Sequence, residues 1–229
     1  MPVPELVIFD CDGVLVDSEI IASRVEARVL TEAGFEITPE ELASRYAGLT
    51  FKDILLSIEE NADAPLQATL IDRAESEVDR KVRKDVKPLD GVHEAVAAVA
   101  VPRCVCSNSS HERVEAMLAR TRLLSFFKGH IYSSLETPTR QPKPAPDVFL
   151  YAAEKMGAAP GRCFVIEDSV HGIAAAKAAG MRVIGFTGGS HIQPGHADLL
   201  MEAGAETVIH RFQDLTAVIA ALSEWTEDA

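Results

Sequence analysis

Four apolar residues run without a break into two aspartates: Leu6-Val7-Ile8-Phe9 is followed by Asp10-Cys11-Asp12-Gly13. An apolar stretch of this length, with no polar alternation, predicts a strand buried on both faces, as in parallel sheets covered by helices. Side chains alternate along an extended chain, so Asp10 and Asp12 share one side while Cys11 faces the other. Two carboxylates so placed repel each other unless a cation or a proton is shared. Gly13 lets the backbone turn and leaves room for close approach. By itself the segment also fits a strand ending in an acidic surface turn.

Downstream the pattern is helical as far as Lys84. Asp17-Ser18 predicts the cap of a helix over 19–33, with Gly34 as its stop. Ile21, Val25 and Val29 recur there at four-residue spacing and give one buried face. Thr38-Pro39-Glu40-Glu41 has the form of a capping box with proline at the first helical position, leading to a helix that ends near Tyr46, before Gly48. Thr50 with Asp53 predicts a further cap ahead of Phe51, Ile54, Leu55 and Ile58. Asp63 and Pro65 are expected to open a longer helix with Leu66, Leu70, Ala74, Val78 and Val82 as its apolar stripe.

Past Val86-Lys87-Pro88-Leu89-Asp90-Gly91 the rhythm changes. Helices are expected over 92–100, 111–120, 147–156, 170–179, 197–203 and at the end of the chain. Strands are expected over 103–107, near 130–133, and over 163–167, 182–186 and 207–209, with a loop over 135–146. Alternation of this kind predicts a parallel sheet with helices on both faces. At 229 residues the chain fits one large domain, or a core with one inserted module. The expected fold is α/β: a Rossmann-like parallel-sheet core made of residues 1–16 plus 88–229, with an all-helical domain inserted at 17–87.

In open parallel sheets, ligands bind beyond the carboxyl ends of the strands. The residues expected there are Asp10 and Asp12, then Ser107 and Asn108, then Glu167, Asp168 and Ser169, with Lys143 from the loop Gln141-Pro142-Lys143-Pro144-Ala145-Pro146. Oxygen-only ligands suit a hard cation, with magnesium held by a few carboxylates and several waters. Beside such a cation Asp10 stays ionised and can act as a nucleophile toward phosphorus. Each residue has a plainer alternative. Lys143 could be a surface lysine, Glu167-Asp168 an acidic strand end, and Ser107 a helix cap, with Asn108 or Ser109 sharing that task. The seven histidines are scattered without metal-site spacing and are expected to be solvent-facing or structural. The Gly188-Gly189 segment reads as a turn.

Taken together these segments resemble the haloacid dehalogenase-like hydrolases, in particular the phosphatases with a helical cap after the first motif. DCDGVLVDS at Asp10 is similar to the family's nucleophile loop. Ser107, Lys143 within KPAPD, and Glu167-Asp168-Ser169 match its second, third and fourth motifs. The resemblance implies that Asp10 attacks the phosphoryl group to form an aspartyl-phosphate, and that Asp12 protonates the leaving oxygen and then activates water. It implies magnesium held by Asp10, the main-chain carbonyl of Asp12, and Asp168, with Glu167 as ligand or outer partner. Ser107, Asn108 and Lys143 would lie at the phosphoryl group, and Glu19, Arg45 and Lys52 of the cap could contact substrate. Gly48 and Thr50 could also face the site.

Asp12 favours phosphoryl chemistry over dehalogenation, since the dehalogenases lack that second acid. The β-phosphoglucomutase branch is also similar, but its His and Arg fall here on Ala22 and Phe51. The residues around Asp10, Asp17 and Ser107 look most like the 6-phosphogluconate phosphatase branch. A mutase-like phosphoryl transferase is the alternative within the family, and a non-catalytic phosphoryl-accepting protein is the alternative outside it. Net charge is −13, with no basic stripe, so neither nucleic acid nor an anionic membrane is an expected partner. An anionic small-molecule phosphomonoester then needs a local cation. The short, acid-bearing N-terminal run is unlike a secretory signal, and a cytoplasmic location is expected. A monomer is expected, with a dimer open. The four cysteines are expected to be buried, reduced core thiols.

Overall fold

The computed structural model describes residues 4–46, 51–59, 69–127 and 129–224. The expectations for Gly48, Thr50, Asp63, Pro65 and Leu66 lie outside the described residues. The chain divides into two compact units, Met1–Asp17 with Lys87–Ala229, and Ser18–Val86. No helix among the described residues is long and apolar enough to cross a membrane.

The second unit is helical, with α1 (Glu19–Glu32), α2 (Pro39–Arg45), α3 (Phe51–Glu59) and α4 (Thr69–Asp85). Val25 and Val29 of α1, Ile54, Leu55 and Ile58 of α3, and Ala74, Val78 and Val82 of α4 are buried, as their spacing predicts. Ile21 is only partly so. The capping box at Thr38 closes both ways: Thr38 Oγ1 accepts from Glu41 N at 3.1 Å and Thr38 N donates to Glu41 Oε2 at 2.9 Å. α1 and α4 are cross-linked on their exposed sides by Arg28, Glu32, Arg73 and Glu77. Pairs so exposed are individually worth little and act here as a small network. One expectation is corrected. Ser18 precedes α1 but makes no side-chain cap bond, and the Asp17 carboxylate accepts from Ser190 instead, at 2.6 and 2.8 Å.

The first unit comprises β1 (Leu6–Phe9), α5 (Val92–Ala98), β2 (Arg103–Ser107), α6 (His111–Arg120), β3 (Ile131–Ser133), α7 (Asp147–Met156), β4 (Cys163–Glu167), α8 (Val170–Ala178), β5 (Arg182–Phe186), α9 (His196–Glu202), β6 (Thr207–Ile209) and α10 (Leu215–Glu224). The strands form one six-stranded parallel sheet in the order β3-β2-β1-β4-β5-β6. Strand order reverses between β1 and β4, the place where such sheets open a crevice for ligands.

All four residues of β1 are fully buried. Leu6 and Ile8 join Cys104, Cys106, Cys163, Val165 and Val183 on one face, packed with Val148 and Phe149 of α7, Ile173 of α8 and Leu200 of α9. On the alternate positions Phe9 meets Phe127 edge-on, with centroids 5.9 Å apart. Phe127 ends a short 3-10 turn, Leu124–Phe127, which has too few residues to show a period in the sequence. All four cysteines are buried and free.

Candidate active site

β2, β1 and β4 are neighbours, so their carboxyl ends deliver polar residues to one place. Phe9 pairs with Val105 and Ile166, which sets Asp10 one step beyond the ladder, level with Cys106 and Glu167. Asp10 N still donates to Ile166 O at 3.0 Å. Its buried carboxylate accepts from Lys143 Nζ at 2.5 Å. The same ammonium donates to Glu167 Oε1 at 2.7 Å and to Cys106 O at 2.9 Å. Three N–H groups thus meet three acceptors. Burial disfavours the charged lysine, but Asp10 and Glu167 outweigh it and raise Lys143 above the ordinary lysine range. Lys143 is therefore a buried cation and no surface lysine.

The other oxygen of Glu167 accepts from Asp168 N, Ser169 N and Ser169 Oγ, each at 3.0 Å. Ser169 Oγ in turn caps α8 by accepting from Gly172 N at 3.0 Å. A β-carbon on Gly172 would fall 1.8 Å from Glu167 Oε1, so only glycine lets the acid lie against the first turn of α8. Gly172→Ala is expected to push Glu167 off Lys143 and to destabilise the protein by about 3 kcal/mol, the upper range for overpacking. A thermal melt unchanged from wild type would show that Glu167 has room elsewhere.

Among the described residues, Asp10, Glu167 and Asp168 can each offer an oxygen within 4.8 Å of the others. Burial, and then the neighbouring acids, raise the Asp10 pKa well above the carboxylate range, with Lys143 pulling the other way. Burial likewise raises Asp168, against the pull of a bond from His191. One lysine faces three buried carboxylates, and a divalent cation would supply the charge they lack. The donor set therefore fits a hard, oxygen-liganded metal.

Asp12 is not one of that trio. Its Oδ2 accepts from Ser107 Oγ at 3.2 Å and Ser109 Oγ at 2.9 Å, while Ser109 N donates to Ser107 Oγ at 3.0 Å. The cap of α6 is Ser110, whose hydroxyl accepts from Arg113 N, which leaves Ser107 to Asp12. Asn108 does something the sequence did not suggest. Its Oδ1 accepts from Lys143 N at 2.9 Å and its Nδ2 donates to Lys143 O at 3.4 Å. A carboxamide carries both a donor and an acceptor and so matches the backbone of one residue. The two bonds tie Asn108 to the Lys143 backbone.

Two of the histidines expected to be solvent-facing or structural lie against Asp168. His191 Nε2 lies 3.1 Å from Asp168 Oδ2, and His196 Nε2 lies 2.6 Å from the Asp168 carbonyl oxygen. Both follow β5 at the carboxyl edge of the sheet, which is the signal that could have found them. Gly13, at φ +78°, packs in the same place: a β-carbon there would fall 1.9 Å from Asp168 Oδ2 and 2.9 Å from His191 Cε1. Glu19, Arg45 and Lys52 belong to the helical unit, where Arg45 and Lys52 are exposed. The Arg45 guanidinium lies 5.3 Å from the centre of the Tyr46 ring.

Comparison with known proteins shows the family. A family described as haloacid dehalogenase-like hydrolase matches residues 7–186. The chain belongs to that family. The 6-phosphogluconate phosphatase of Escherichia coli (strain K12) is 31% identical over 193 residues, covering 83% of this chain and 86% of that protein. A haloacid dehalogenase-like protein of unknown function from Agrobacterium tumefaciens str. C58 is 55% identical, with a TM-score of 0.91 and coverage of 96% of this chain and 99% of that one. A haloacid dehalogenase family hydrolase from Deinococcus radiodurans R1, solved with bound phosphate and sodium, is 32% identical with a TM-score of 0.81, covering 98% of each chain.

Proposed function

We propose that this haloacid dehalogenase-like hydrolase is a magnesium-dependent phosphatase that hydrolyses a small phosphomonoester, a sugar phosphate such as 6-phosphogluconate, through an aspartyl-phosphate. The observation that carries the reading is the difference between the partners of the two aspartates. Asp10 sits with Lys143, Glu167 and Asp168, whereas Asp12 rests on the hydroxyls of Ser107 and Ser109. One environment suits a nucleophile and the other a proton carrier.

In this scheme a carboxylate oxygen of Asp10 bonds to phosphorus as the bond to the leaving oxygen breaks, and Asp12 gives that oxygen its proton. Asp12 then takes a proton from water, whose oxygen attacks the aspartyl-phosphate to release phosphate and restore Asp10. General acid–base help of this kind is typically worth ~10²–10⁴-fold. Ser107 and Lys143 hold phosphoryl oxygens, while Asn108 fixes Lys143 by its backbone. Asp10, the Asp12 carbonyl and Asp168 would hold magnesium, and the fully bonded Glu167 fits an outer position. When bound, the ion neutralises charge that builds on the phosphoryl oxygens.

The helical segment 17–87 serves in this proposal as a cap that excludes water and selects substrate, with Glu19, Arg45 and Lys52 as candidate contacts. The main chain leaves and rejoins the α/β unit side by side, Asp17 N donating to Lys87 O at 2.9 Å, as paired hinges would. Four free, buried thiols suit a reducing cytoplasm. Phosphate release from 6-phosphogluconate, phosphoglycolate and β-glucose 1-phosphate tests the reading. Release is expected from at least one sugar phosphate, abolished by a chelator and restored by magnesium. No release across the panel would overturn the proposal, and conversion of β-glucose 1-phosphate to glucose 6-phosphate would mark a mutase.

A further inference from the structure

The loop that follows β5, Thr187-Gly188-Gly189-Ser190-His191, is tied to the site at two successive residues. Ser190 grips both carboxylate oxygens of Asp17 through its hydroxyl, and its N–H adds a third bond to Oδ1 at 3.2 Å. That anchor fixes where the next side chain can go. His191 is mostly covered, with 17% of its side chain exposed, and its Nε2 faces Asp168 Oδ2 at 3.1 Å. The ring is also boxed in by two glycines. A β-carbon on Gly189 would fall 2.7 Å from it, and one on Gly13 would fall 2.9 Å from it. His196, one turn of chain later, bonds the Asp168 carbonyl at 2.6 Å, so both ends of that residue are held from the same segment.

We propose that His191 is a positioning residue: its Nε2–H bond to Oδ2 fixes the Asp168 carboxylate so that the remaining oxygen is set to bind a divalent cation. The inference rests on the reading of Asp168 as a metal ligand. A carboxylate with one oxygen held by a partner loses rotational freedom and binds metal in one orientation. Removing an outer partner of this kind typically lowers metal affinity by 10–100-fold. The glycines explain why the loop is built as it is: an imidazole reaches Asp168 only because neither neighbour carries a side chain.

The test is direct titration of the metal-free full chain with magnesium, and with manganese as a second probe, by calorimetry. His191→Ala is expected to weaken binding by 10–100-fold, while His191→Gln, which keeps an N–H donor, recovers most of the loss. Should the alanine variant fail to fold, His191→Leu fills the volume without a donor and is expected to show the same weakening. Alanine or leucine variants that bind as tightly as wild type would overturn the proposal, and so would equal losses in alanine and glutamine variants. A wild-type chain that binds neither ion would remove the metal reading itself. Phosphate release without detectable ion binding would mean that the hydrolase reading survives it.

Discussion

Asp10→Asn is expected to abolish phosphate release while the protein stays folded. The carboxamide has the shape of the acid and can still accept from Lys143, which now lies at 2.5 Å. It lacks the negative charge needed to attack phosphorus. Loss of a nucleophile in a concerted site typically lowers turnover by on the order of 10⁵-fold or more. Stability should move little, and upward if at all. Glu167, Asp168 and Asp12 all push against ionisation of Asp10, and the amide removes that repulsion along with the desolvation of a buried charge. The measurement is turnover at saturating magnesium, together with a thermal melt of the same preparation. Near-wild-type turnover from a variant of verified mass would place the nucleophile elsewhere.

Lys143→Met is expected to be damaging in the opposite way, in the fold as well as in the chemistry. Methionine fills much of the volume but leaves Asp10 and Glu167 buried with no cation between them. Breaking a buried ion pair by removing one partner typically costs about 3–5 kcal/mol. In a domain of this size that corresponds to a fall in melting temperature on the order of 10 °C. Adding Glu167→Gln to Lys143→Met should recover part of the loss, because the second change removes the uncompensated charge. A single variant as stable as wild type would mean that the three-way contact of Lys143 with Asp10, Glu167 and Cys106 O adds nothing to stability. Recovery in the double variant separates electrostatics from packing.

The strands were legible because each is an apolar run bounded by turn residues. Arg103–Ser107, Cys163–Glu167, Arg182–Phe186 and Thr207–Ile209 fall where the pattern places them. Helix ends shift by a residue or two, as at Ala98, because fraying turns carry little sequence signal. Asp10, Asp12, Ser107, Glu167 and Asp168 could be nominated because a parallel sheet forces its strand ends to one edge, and Lys143 through its proline-framed loop and the motif it matches. Asn108 could be nominated as well, though not its bonds to Lys143, and Ser109 and His191 could not be nominated as site residues. Asn108 bonds the backbone of a residue 35 positions away, Ser109 reaches Asp12 across 97 positions, and His191 meets Asp168 from a glycine-rich loop. None carries a periodicity or spacing that marks its partner. Their roles come from how loops are threaded after the sheet has formed, which is tertiary information.

The side-by-side crossing at Asp17 and Lys87, flanked by the bridge between Val16 and Pro88, has a further consequence. The inserted segment leaves and returns at two points of the α/β unit that are already paired. Loop-closure entropy grows slowly, by about 0.6 kcal/mol for each doubling of length. The α/β unit is therefore nearly indifferent to how many residues return between those two points, or to which ones. Loop closure by itself sets little limit on insertions or replacements there. Such an architecture lets one reaction be kept while the molecules it serves are exchanged.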